Sequence, residues 1–149
     1  MKTLSFSEIL GSDRNRVEKA KLVAEKIRSA GKYAWVGLYD VNEKEISIIS
    51  FAGKTEPAFT SFPKDKGLNG KAVMKKQTVI VNDTDKDEDY LLTFTNTKSE
   101  IIVPVFAAEG QEIIGTIDAE GEIENAFSEK DSVFLEDCAK LILPLWSKK

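Results

Sequence analysis

Histidine is absent from this 149-residue chain, and cysteine occurs once, at Cys138. The first absence removes Ser-His-Asp and Cys-His catalysis and any histidine-ligated zinc. The second removes an intramolecular disulfide and a cysteine-rich metal site. No apolar run approaches the ~18 residues that a membrane span requires. The opening residues, Met1 to Glu8, hold no continuous apolar stretch of the kind a secretory signal needs. Basic residues do not dominate either: 21 Lys and Arg stand against 25 Asp and Glu, a formal charge of −4. Nucleic-acid binders normally carry a basic patch or stripe, whereas these lysines alternate with acids, as in Glu43-Lys44-Glu45. The expectation is a cytoplasmic protein with no nucleic-acid or membrane partner. It binds something small, or catalyses without histidine.

Hydrophobic residues make up 42% of the chain and charged residues 31%, which suits a globular core. The length fits one domain spanning residues 1–149. A first helix is expected over about 12–30, capped by Ser12 or Asp13 and ended by Gly31. Val17, Ala20, Val23, Ala24 and Ile27 form its apolar stripe. Tyr33 to Tyr39 and Ile46 to Phe51 read as a hairpin, with Tyr33, Trp35, Gly37 and Tyr39 on one face and Ala34, Val36 and Leu38 on the other. Residues 52–66 read as a long irregular loop, of the sort that is usually functional. Gly67-Leu68-Asn69-Gly70 then leads into a short helix, Lys71 to Lys76, and a strand, Thr78 to Val81. Asn82 to Asn96 is a second long connection.

Ile101 to Ala107 and Glu112 to Ala119 form another hairpin around Ala108-Glu109-Gly110. The last helix, about 128–146, opens on Ser128 with Asp131 three residues on, and Phe134, Cys138, Leu141, Ile142 and Leu145 form its stripe. Antiparallel hairpins bracketed by helices imply an α+β domain, with helices on one face of the sheet and the long loops on the other. A cavity between loops and sheet is the natural place for a small ligand.

Four segments carry a resemblance: Trp35-Val36-Gly37-Leu38-Tyr39, Lys66 to Val73, Ser99 to Val105, and Ile114 to Glu120. In order and spacing they resemble a GAF domain, and more narrowly the free methionine-(R)-sulfoxide reductases, over about Tyr33 to the end of the chain. The resemblance implies a GAF/PAS-like central antiparallel sheet, with N- and C-terminal helices on one face and ligand-pocket loops on the other. It also implies a homodimer through the terminal helices. The family's thiol chemistry rests on cysteines whose positions match Phe59, Asn69 and Thr93 here. Reduction by a thiol needs a thiolate to attack sulfur and a second thiol to resolve the intermediate. A threonine hydroxyl without a neighbouring base is a poor nucleophile. Cys138, mid-stripe on the last helix, reads as a core residue.

The family's carboxylates for a ligand amino group match Glu100, Asp118 and Glu120, and its pocket tryptophan matches Trp35. Asp118 and Glu120 are two apart on one strand and so share a face. With a three-residue hairpin loop, Glu100 falls opposite Asp118. With one residue fewer it falls on the other face. Three like charges across a strand pair are destabilising unless something positive sits between them, which points to a ligand ammonium or to Lys66 or Lys71 reaching in. Trp35 and Tyr39 are either core aromatics or two walls around a cation.

Asp83, Asp85, Asp87 and Asp89 lack the Gly and Glu that a calcium loop needs, and read as a solvated acidic loop. The candidate ligand residues are therefore Trp35, Tyr39, Phe59, Leu68, Asn69, Tyr90, Thr93, Glu100, Asp118 and Glu120, with a polar oxygen of the ligand near Asn69 and Thr93. No catalytic residue, metal site or cofactor is expected. The reading is a sensor-type domain for a small amine-bearing ligand, such as an amino acid or methionine sulfoxide, signalling to an unidentified partner. Two alternatives are a reductase or other enzyme of the same scaffold, and a dimerisation module with a vestigial pocket.

Overall fold

The computed structural model describes residues 4–87 and 97–146. A short helix α1 (Ser7–Leu10) precedes α2 (Arg16–Gly31). Strands β1 (Trp35–Val41), β2 (Glu45–Ala52) and β3 (Ser61–Pro63) follow, then α3 (Gly67–Lys75) and β4 (Val79–Val81). After a 3-10 turn at Thr84–Lys86 come β5 (Ser99–Phe106), β6 (Ile113–Gly121) and α4 (Glu129–Leu141), closed by a 3-10 turn at Leu143–Trp146. The strands form one six-stranded sheet in the order β3-β2-β1-β6-β5-β4, every neighbouring pair antiparallel. This is the expected α+β architecture.

Alternation along the central strands divides the residues between two faces. Val36 and Leu38 on β1, Ile101, Val103 and Val105 on β5, and Ile117 and Ala119 on β6 pack against α2 and α4. Ala20, Val23, Ala24 and Ile27 of α2 complete that core with Phe134, Leu135 and Cys138 of α4. The opposite face carries Trp35, Tyr39 and Ile46 in one cluster and Ile102 with Leu68 and Ala72 in another.

Several local expectations are corrected. Asn15, not Ser12 or Asp13, caps α2: its side chain accepts the Glu18 N–H at 2.9 Å, and the Glu18 carboxylate accepts the Asn15 N–H at 3.3 Å. That reciprocal pair satisfies two otherwise orphaned donors. Lys32, not Gly31, takes the left-handed position after α2, at φ 57°. Gly31 is the last residue of α2, and the Tyr33 ring lies where a Cβ on it would be, 2.2 Å away. Val17 and Leu141, expected in apolar stripes, are exposed. Tyr33 lies before β1 and packs on the helix side, its hydroxyl donating to Asp131 at 2.8 Å and its ring 5.5 Å from that of Phe127.

The loop over residues 52–66 is not wholly irregular. Ser61–Pro63 pairs with Glu45–Ser47 at the sheet edge, where a proline is tolerated. The helix expected at Lys71 begins four residues earlier, at Gly67. Gly70 permits this, since a Cβ there would meet the Asp65 backbone carbon at 2.6 Å. As a result Leu68 and Asn69 sit on a helix lying over the sheet, and α3 shares with the loops the task of covering that face.

Candidate functional site

The register places three rows side by side. Trp35 pairs with Glu120 and Glu120 with Glu100; Gly37 pairs with Asp118 and Asp118 with Ile102; Tyr39 pairs with Thr116 and Thr116 with Pro104. Directly paired residues share a face, so all three carboxylates project away from α2 and α4. One carboxylate oxygen from each of Glu100, Asp118 and Glu120 can be chosen so that all lie within 4.8 Å of one another. The three side chains are buried at 4%, 3% and 1% exposure.

Two partners hold this cluster in place. Asn69, delivered by the first turn of α3, donates its amide to Asp118 Oδ2 at 3.1 Å and accepts from the Thr116 hydroxyl. The Thr97 hydroxyl donates to Glu120 Oε1 at 2.6 Å. With the carboxylates ionised, Asp118 Oδ1 and Glu120 Oε2 are buried without a hydrogen-bond partner. No salt bridge among the described residues reaches the cluster: Lys66 is exposed, and Lys71 lies 3.9 Å from Asp87.

Burial is the main cause of the electrostatic stress. It pushes Glu100 well above the ordinary carboxylate range, and the charges of Asp118 and Glu120 add to that. Glu120 is raised by burial and by Asp118, with Thr97 restraining the rise. Asp118 is pushed up by burial to about 6, with hydrogen bonds from the protonated Glu100 carboxyl and the Asn69 amide holding it back. Burial, and then the same three carboxylates, also raise the Tyr39 hydroxyl. A cluster in this condition is relieved in one of two ways, by taking up protons or by taking up a cation.

The aromatic neighbours are packed side chains. A Cβ on Gly37 would lie 2.3 Å from the Trp35 ring and 3.1 Å from the Tyr39 ring, so both rings lean over the bare glycine beside Asp118. The Trp35 ring stacks on Phe51 at 6.0 Å, and its indole N–H donates to the Thr55 carbonyl. The Tyr39 ring meets the edge of Phe62 at 6.0 Å. A cavity of about 20 Å³ is lined by Tyr39, Phe59, Phe62, Gly67, Leu68, Asn69, Glu100 and Asp118. That is room for one water-sized group. A larger open groove of about 1550 Å³, bordered by Lys44, Lys64, Met74 and Glu112, contains none of the carboxylates.

Of the expected site residues, Leu68, Asn69, Tyr39, Phe59, Glu100 and Asp118 border this cavity, while Trp35 and Glu120 sit in the adjoining row. Phe59 is 45% exposed. Tyr90 and Thr93 lie outside the described residues, as does Asp89. Asp83 and Asp85 have local partners, Asp83 accepting the Asp85 N–H and Asp85 pairing with Lys98 at 3.1 Å. Both polar ends of the Asn69 amide are engaged by protein, so it orients Asp118. Thr97, Thr116, Gly37 and Phe62 were not anticipated. Thr116 was discoverable, being two residues before Asp118 on the same strand face.

Cys138 sits in the core between α4 and the sheet, on the face opposite the carboxylates. Burial, with the neighbouring Asp137 charge, pushes its thiol up to about 12.

Comparison with known proteins agrees with this arrangement. A GAF domain family model matches residues 18–142. GAF domain-containing protein A of Dictyostelium discoideum is 30% identical over 135 residues, covering 90% of this chain and 83% of that protein. The free methionine-R-sulfoxide reductase of Saccharomyces cerevisiae is 35% identical over 111 residues, 72% of this chain and 60% of that protein. The structure of free methionine-R-sulfoxide reductase from Neisseria meningitidis in complex with its substrate superimposes with a TM-score of 0.83 at 28% identity, covering 95% of this chain and 83% of that one. With most of its length matched by the family model and its sheet and helices in the same arrangement, the chain belongs to the GAF domain family, and within it is related to the free methionine-R-sulfoxide reductases.

Proposed function

We propose that this GAF domain binds a small molecule through an ammonium group held by Glu100, Asp118 and Glu120, and senses it without catalysis. The observation carrying this reading is the buried carboxylate cluster with unpartnered oxygens on Asp118 and Glu120. Buried carboxylates are raised in energy until a cation or a proton joins them. A primary ammonium supplies three donors and one positive charge. The relatives named for methionine sulfoxide make that amino acid the first ligand to try. Because the cavity holds only a water-sized group, a whole amino acid enters with movement of the surrounding side chains, and that rearrangement is the signal passed to a partner.

The non-catalytic part rests on Cys138, the chain's single thiol, buried behind the sheet with its proton tightly held. A thiol-coupled assay on free methionine-(R)-sulfoxide tests it: no turnover is expected. Turnover abolished by Cys138→Ser would make the protein an enzyme. We also propose a homodimer through the terminal helices, supported by exposed Val17 on α2 and Val133 and Leu141 on α4. A monomer by light scattering at micromolar concentration would reject the dimer.

A further inference from the structure

We propose that the Glu100–Asp118–Glu120 cluster also binds one calcium-sized divalent cation, in competition with a ligand ammonium. Three independent features converge on it. The first is geometry. Three oxygens no more than 4.8 Å apart leave a central point within about 2.8 Å of each, a reach that takes in the ~2.3–2.6 Å of calcium–oxygen bonds.

The second is how the donors are held. Asp118 has one oxygen fixed by the Asn69 amide and the other without a partner, and Glu120 has one fixed by the Thr97 hydroxyl and the other without a partner. These two carboxylates are thus anchored through one oxygen while the second stays available, and Glu100 supplies the third donor. An all-oxygen set with no nitrogen or sulfur donor selects a hard cation over zinc or copper.

The third is charge and space. An ammonium offsets one of the three negative charges, and a divalent ion offsets two. The cavity of about 20 Å³ bordered by Glu100 and Asp118 is the size of an ion or a water, so an ion enters without the opening that an amino acid needs. The two occupants exclude each other. Calcium would therefore weaken ligand binding at this site.

Calcium chloride titrated calorimetrically into the full, chelator-treated chain at pH 7.5 tests the proposal. One ion per chain is expected, with affinity at least tenfold weaker in Asp118→Asn and unchanged in Asp85→Asn, which alters only the exposed acidic turn. Glu120→Gln gives the same reading should Asp118→Asn fail to fold. Excess methionine sulfoxide should raise the apparent calcium Kd. Absence of calcium binding would overturn the proposal, as would binding lost in Asp85→Asn but kept in Asp118→Asn. Calcium binding without any response to methionine sulfoxide would uphold the metal site and remove the ammonium reading. The reverse pattern would remove the metal site alone.

Discussion

Glu100 on β5 lies directly across the strand pair from Glu120 on β6, and a single extra residue in β6 makes this possible. Ala107 and Glu112 close a four-residue connection, Ala108 to Gln111, the Ala107 N–H donating to the Glu112 carbonyl at 2.8 Å. Carried inward unchanged, that register would pair Glu100 with Ala119, whose side chain packs on the helix side. Between Val105 and Phe106 the pairing instead jumps from Gly115 to Ile113, leaving Ile114 without an opposite number. This β-bulge shifts the register by one more residue, so Glu100 returns to the face shared by Asp118 and Glu120.

Replacing Asp118 by Asn should stabilise the unliganded protein at neutral pH. The amide keeps the volume, can still accept from Asn69, and removes a negative charge that burial disfavours. Chemical denaturation of both proteins at pH 7 should give a higher unfolding free energy for the variant. A loss of more than about 1 kcal/mol would mean that Asp118 is satisfied in the unliganded state.

The pH dependence has a definite sign. Asp118 is raised to about 6 in the folded chain, and Glu100 and Glu120 are raised as well. Between the unfolded carboxyl values of ~4 and these raised values the native state binds more protons than the unfolded state, so stability falls as pH rises. Melting temperatures of wild type and Asp118→Asn should therefore diverge between about pH 4 and 6, the variant melting progressively higher. Convergence with rising pH would contradict the assignment.

Gly37→Ala should cost about 1–3 kcal/mol, because its Cβ would collide with the Trp35 ring in a central strand. The loss should appear in denaturant unfolding together with a change in Trp35 fluorescence. An unchanged midpoint would show that the two rings can separate freely.

Cys138 should resist alkylation by iodoacetamide in the native state at pH 8, reacting at least tenfold faster in denaturant, since its thiol is buried and raised to about 12. Cys138→Ser should leave ligand binding unchanged while lowering stability by about 1–3 kcal/mol, the cost of burying a hydroxyl in that core. Native labelling at the denatured rate would remove the argument against thiol catalysis.

The sheet and its face assignments were legible because strands repeat every two residues: Val36 and Leu38 separate from Trp35 and Tyr39 on that basis alone. The carboxylate cluster was legible as far as Asp118 and Glu120, which share one strand. Glu100 was expected opposite Asp118 and lies opposite Glu120, because neither the four-residue connection nor the bulge at Ile114 leaves a composition signal. The two errors preserve parity, so the face was right although the pairing was not. Strand alternation does not extend to Tyr33, because β1 begins two residues later, and its ring lies on the helix side. The two glycines flanking Leu68-Asn69 suggest a turn, whereas Gly70 lets α3 pack closely on the Lys64-Asp65 backbone. Thr97 reaches Glu120 from outside any strand, so no periodicity could reveal it.

The central question is whether the carboxylates hold a ligand ammonium. The direct measurement is thermal melting of wild type and Asp118→Asn with free methionine sulfoxide and, separately, with its N-acetyl derivative. A hundredfold excess over Kd stabilises by ~2.7 kcal/mol, which is a shift of roughly 5–10 °C for a chain of this length. The predicted result is that shift for the free amine on wild type, with none for the acetylated compound and none for either compound on Asp118→Asn. Equal shifts for the two compounds, or an undiminished shift in Asp118→Asn, would mean that the carboxylates hold no ligand ammonium.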